Sequence, residues 1–193
     1  MTLGEARAKA LKLMDEYSSR GNRVTDRDLE LKMNSLFDTA QKQVSQLKRI
    51  IRRYELPLEE GVREYPMPED FGALRRVWAD GEVKTVGRWF GPLLELPEGE
   101  KRKIAVEYYA YPADITDETP DDYIFEVARD AQECMPYWVA AQPFLADNFV
   151  VEYEDLMGMY DRMAALLDTR PPGGAAEVVR LGRLDDGWGW YGG

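Results

Sequence analysis

Apolar residues return every three or four positions through the first part of the chain, so each run lines one face of a helix. In the first run Leu3, Ala6, Ala10, Leu13, Met14 and Tyr17 form the stripe, and Thr2 with Glu5 has the spacing of a capping box. Ser18 to Asn22 supplies the stop, with a glycine and an asparagine that tolerate left-handed backbone. A second helix carries Leu29, Met33, Leu36, Phe37, Ala40, Val44, Leu47, Ile51 and Tyr54 for about seven turns, with Thr25 and Asp28 as its cap. Lys42, Lys48, Arg49, Arg52 and Arg53 gather toward its end, where cations suit the negative pole of the helix dipole. A nucleic-acid contact through Lys48, Arg49, Arg52 and Arg53 is the alternative use of that face.

From Leu56 the period shortens to the alternation of antiparallel strands, punctuated by proline and glycine. Leu74–Ala79 and Glu82–Val86 flank Asp80-Gly81, a strong two-residue hairpin signal. A second pair, Leu93–Leu96 and Lys103–Ala110, spans Pro97 to Glu100, which predicts one twisted sheet of four or five strands between Val62 and Tyr111. Trp78, Trp89, Phe90, Tyr108, Tyr109 and Tyr111 supply its core and cross-strand area.

Beyond Pro112 the chain turns acidic, with a local balance of −7 from Asp114 to Glu133. Tyr123 to Ala128 fits a strand or a helix start equally well. Ala131–Ala146 reads as a buried helix with Pro136 near its first turn, and Asn148–Leu167 as an amphipathic helix capped by Asp147 or Asn148. The expected fold class is α+β: a small four-helix bundle, an antiparallel sheet inserted between the second and third helices, and an extended C-terminal arm. The units are residues 1–55 as a helical pair, 56–112 as the sheet insert, 113–168 as the second pair, and 169–193 as a Gly/Trp-rich arm.

Composition narrows the chemistry. The 193 residues hold no histidine, which removes Ser-His and Cys-His relays and His-ligated zinc. The single cysteine, Cys134, has no intramolecular disulfide partner and sits among apolar neighbours, as a small buried hydrophobe would. A formal charge of −11 argues against holding a polyanion by charge, and the polar start at Met1 is not that of an export signal. Asp121-Asp122, Asp185-Asp186, Asp114, Asp117 and Glu118 are the remaining acid/base or cation-ligand candidates, but they sit in loops where carboxylates serve solubility and capping. The reading assigns no catalytic residue, no metal and no cofactor. Trp188, Trp190 and Tyr191 lie among glycines after a short apolar run containing Val179 and Leu181. So much apolar area requires a docking place, either on the chain's own sheet or on a neighbouring subunit or another protein.

Thr2 to Ser19, Leu31 to Gln41, Glu64 to Phe71, Val106 to Thr116, Pro136 to Asn148 and Tyr153 to Leu167 together resemble the head-tail connector (adaptor) proteins of tailed bacteriophages. The resemblance implies a protein of the virion neck, made in the host cytoplasm and not membrane-bound. Its partners would be the portal protein, the next neck or tail component, and copies of itself in a ring matching the portal's twelvefold symmetry. DNA would pass through without sequence-specific contact, and an acidic wall suits such a channel. A terminal arm that grips the portal would use Trp188, Trp190, Tyr191, Leu181 and Val179. The alternatives are a tail-completion or terminator protein of the neck, a nucleic-acid-binding accessory protein, and a carboxylate-dependent hydrolase.

Overall fold

The computed structural model describes residues 1–17 and 27–167. Helix α1 spans Leu3–Tyr17 and α2 Arg27–Leu47. Seven strands follow: β1 Ile50–Glu55, β2 Glu64–Pro66, β3 Phe71–Ala79, β4 Glu82–Val83, β5 Arg88–Phe90, β6 Leu93–Glu95 and β7 Ile104–Ala110. Helices α3, Arg129–Ala146, and α4, Val150–Ala165, complete the order.

The expected bundle with one inserted sheet is not what forms. The strands make two antiparallel sheets, β1-β7-β3-β4 and β2-β6-β5, and α3 and α4 close the described chain at its C-terminal end. The four helices do not close on one another symmetrically either. Helix α3 is the hub against which α1, α2 and α4 each pack, whereas α1 and α2 barely meet. The helical core collects Leu3, Phe37, Val44, Met135, Val139 and Leu156, all buried. A second core lies between the sheets, from Val77, Ile104, Val106 and Tyr108 on one side and Tyr65, Leu94 and Leu96 on the other.

The long second helix is the point where two periodicities competed. Leu47, Ile51 and Tyr54 continue a helical stripe, but Ile50, Arg52 and Tyr54 also alternate, and the β-branched pair Ile50-Ile51 favours a strand. Pairing with β7, Ile50 opposite Ala110 and Tyr54 opposite Val106, resolves it as β1. No basic residue therefore stands in the last turn of α2, and the helix-dipole role of the Lys42 to Arg53 cluster is withdrawn. The second expected hairpin also fails, because β6 pairs with β2 and β5 while β7 lies between β1 and β3 in the other sheet.

Local signals fared better. The capping box forms: the Thr2 amide donates to Glu5 at 2.8 Å and the Glu5 amide to Thr2 Oγ1 at 3.2 Å. Asp80 and Gly81 adopt φ of 52° and 82°, the left-handed pair that a tight β3–β4 turn requires. Tyr123 to Ala128 is not helical, and Ile124 makes a single bridge to Thr2. Pro136 lies in the interior of α3, not in its first turn, and its missing N–H leaves the Gln132 carbonyl without an i+4 donor. Neither Asp147 nor Asn148 caps α4, whose N-cap is Phe149; the Asp147 amide instead closes the end of α3. The Thr25–Asp28 cap, Asp185-Asp186 and the arm from 169 fall outside the described residues.

Candidate functional site

The basic residues flagged in the sequence do not gather into one patch. Lys42 pairs with Asp38 and Asp114, both at 2.7 Å, which raises its pKa through hydrogen bonds first to Asp114 and then to Asp38. Lys48 meets Asp130 at 2.6 Å and holds that carboxyl below the usual range. Arg52 bridges Asp70 at 2.6 Å and Glu126 at 2.8 Å.

These pairs belong to a seam that ties the sheets to the helices. Asp70 also accepts from the Tyr108 hydroxyl at 2.9 Å, and burial first, that bond second, pushes the phenol up to about 12. Glu126 accepts from the Ala113 amide, and its own amide donates to Gln41 on α2. Buried Gln41 in turn donates to the Ala113 carbonyl, so both ends of the chain from 113 to 126 are stitched to α2, and Glu126 also joins it to Arg52 of β1. The seam is structural, since each ion is held by a partner and little charge is left to offer a ligand.

Arg49 and Arg53 behave differently. Alternation places Ile51 and Arg53 of β1, Glu107 and Tyr109 of β7, and Trp78 of β3 on the side of the four-stranded sheet that faces away from the β2-β6-β5 sheet. Neither hydrophobic core contains Ile51, Trp78 or Tyr109. On this outer face the Arg49 guanidinium lies 4.7 Å from the centre of the Tyr109 ring, and that of Arg53 lies 5.5 Å from the Trp78 ring. Arg75 sits in a bulge between Leu74 and Arg76, Arg76 stands opposite Glu107, and Arg75 ion-pairs with that carboxylate. Trp78 Nε1 is buried without a hydrogen-bond partner, and Val83, its neighbour on β4, is exposed. Cation and ring together make a surface of the kind that anchors macromolecular contacts. Sequence inspection found the arginines but missed Trp78 and Tyr109 as their partners, because only strand pairing brings them together.

The other candidates are dispersed. Among the described residues no group of three or more acidic or cysteine side chains is placed to hold a metal ion. Asp121 pairs with Arg7 at 2.7 Å, while Asp117, Glu118 and Asp122 are exposed in the same loop. Cys134 is buried in the helical core, where desolvation pushes its thiol up to about 11. Trp188, Trp190, Tyr191, Leu181 and Val179 lie outside the described residues.

Residues 1–90 match the model of a protein family described as SU10 adaptor protein. The match supports a phage head-tail adaptor. It runs through α1, α2 and β1 to β5, and so includes Arg49, Arg53 and Trp78 of the outer face. No curated protein matches the chain. The family is one of structural phage proteins, and the match covers just under half of the 193 residues. Among the described residues no helix is long and apolar enough to cross a membrane.

Proposed function

We propose that the protein docks on the portal ring of a tailed phage and links the DNA-filled head to the next neck or tail component, as a ring that forms part of the DNA channel. The observation that carries the reading is the match of residues 1–90 to the SU10 adaptor family. A net charge of −11 supports it, since a channel wall should repel phosphate rather than retain it. The aromatic tail, Trp188, Trp190 and Tyr191 with Leu181 and Val179, is proposed as the arm that grips the portal or a neighbouring subunit. The reading involves no catalysis and no cofactor.

The test is quantitative mass spectrometry of purified particles. A copy number equal to that of the portal protein is expected, and absence from the particle would overturn the reading. Deleting 187–193 should abolish attachment to the portal without lowering the melting temperature, and unchanged attachment would remove the arm from the proposal. The nucleic-acid alternative retains only Arg49 and Arg53 of its four residues without a carboxylate partner among the described residues.

A further inference from the structure

Two surfaces of opposite charge stand along α2, one just past its C-terminal end and one beside Asn34 in its first half. At one end is the outer sheet face, where Arg49 and Arg53 lie over Tyr109 and Trp78 with no carboxylate in ion-pair range among the described residues. It is a basic, aromatic face on a chain whose net charge is −11. Beside Asn34 is the loop from Thr116 to Asp122, whose Thr116 carbonyl is held by the Asn34 side chain at 2.9 Å. Asp117, Glu118 and Asp122 are exposed there and have no ion-pair partner among the described residues, and Ile124 just beyond is 67% exposed.

The helix from Asn34 to Leu47 rises about 20 Å between the two surfaces. One chain therefore cannot lay its own loop on its own sheet face, but a second copy can. A carboxylate arriving there would meet two exposed guanidinium groups that have no carboxylate partner among the described residues. Ile124 and Val83, which is 53% exposed, provide apolar area beside the charges.

We propose that the Thr116–Asp122 loop of one copy docks on the Arg49–Arg53–Trp78 face of a second copy. The contact is heterologous, using a different patch on each partner, so repetition generates a closed ring or an open filament. It deepens the connector reading and rests on it for ring closure, whereas the pairwise contact is tested without any portal. Failure of the connector reading would show in particle composition, and failure of this contact in sedimentation.

The experiment is sedimentation velocity of the full chain at low salt up to about 1 mM, a concentration at which even a weak pair associates. Two charge reversals are compared with the wild type: Arg49→Glu with Arg53→Glu, and Asp117→Lys with Glu118→Lys and Asp122→Lys. All five residues are polar surface positions, and an unchanged melting temperature checks the fold; Arg49→Gln with Arg53→Gln serves if the first pair misfolds. The expected result is concentration-dependent association of the wild type, weakened at least about tenfold in either reversal and in high salt. An equimolar mixture of the two reversals should associate again, because the reversed face then meets the reversed loop. A wild type that stays monomeric throughout, or association indifferent to both reversals, would overturn the proposal. So would single-stranded DNA binding that disappears with Arg49→Glu and Arg53→Glu while the wild type remains monomeric, because the face would then belong to nucleic acid.

Discussion

Gly87 is the most exacting single position between the two sheets. It leaves the chain at φ +69°, and a Cβ built there would lie 2.2 Å from the Glu95 carbonyl oxygen on β6. Gly91, at the other end of β5, has φ +59° but nothing within 4 Å of such a Cβ. The two alanine variants therefore share a conformational cost and differ in the collision. The left-handed cost is about 1–2 kcal/mol for either. In Gly87→Ala the backbone must also withdraw from Glu95, which pairs with Arg88, and losing two ladder hydrogen bonds adds roughly 2 kcal/mol. For a chain of this length each kcal/mol moves the melting temperature by about 2–4 °C. Gly91→Ala should thus lower it by roughly 2–8 °C and Gly87→Ala by roughly 6–16 °C. Thermal unfolding followed by near-ultraviolet dichroism reads both, since Trp89 stacks on Phe71 beside the perturbed strand, ring centres 6.1 Å apart. Equal losses in the two variants would refute the steric argument and leave only backbone conformation.

Phe37, fully buried and 5.7 Å from the Phe125 ring, should cost about 3–5 kcal/mol as Phe37→Ala, and a stability loss under about 1 kcal/mol in denaturant unfolding would show that the helical core collapses around the cavity. The Glu100 carboxyl is held at about 2, chiefly by the Arg102 side chain, so its contribution is present above the unfolded value near 4.5 and lost as pH falls toward 2. Wild-type stability should therefore fall more steeply than that of Glu100→Gln across that window, and parallel curves would dismiss the pairing. Because burial raises the Cys134 thiol to about 11, iodoacetamide at pH 8 should label it only in denatured protein; labelling of the native chain at the rate of a free thiol would contradict its burial.

What could be read without coordinates was local. The Thr2–Glu5 box and the Asp80-Gly81 turn need only neighbours in sequence, and both are present. Pairing was hidden because it is non-local: β7 lies between β1 and β3, and no feature of Ile104–Ala110 announces which strands will flank it. The same ignorance concealed the candidate surface. Arg49 and Arg53 stood out as charges, but their register against Tyr109 and Trp78 is a property of two strand pairs. The mistaken end of α2 has a simpler origin, since Tyr54 satisfies both a period of 3.6 and a period of 2.

The central place of α3 bears on the order in which the chain can fold. Helices α1 and α2 emerge first but hardly touch, and their shared partner, residues 129–146, is made only after all seven strands. During synthesis the two-sheet sandwich can close as soon as β7 is complete, while the first two helices wait with Leu3, Phe37 and Val44 uncovered. The stretch that carries the family match, residues 1–90, is accordingly not a folding unit: it lacks both the helix that buries α1 and α2 and the strand that joins β1 to β3. Expressed alone it should remain an unfolded or aggregating fragment, and truncations meant to isolate the folded core must retain the chain through α3.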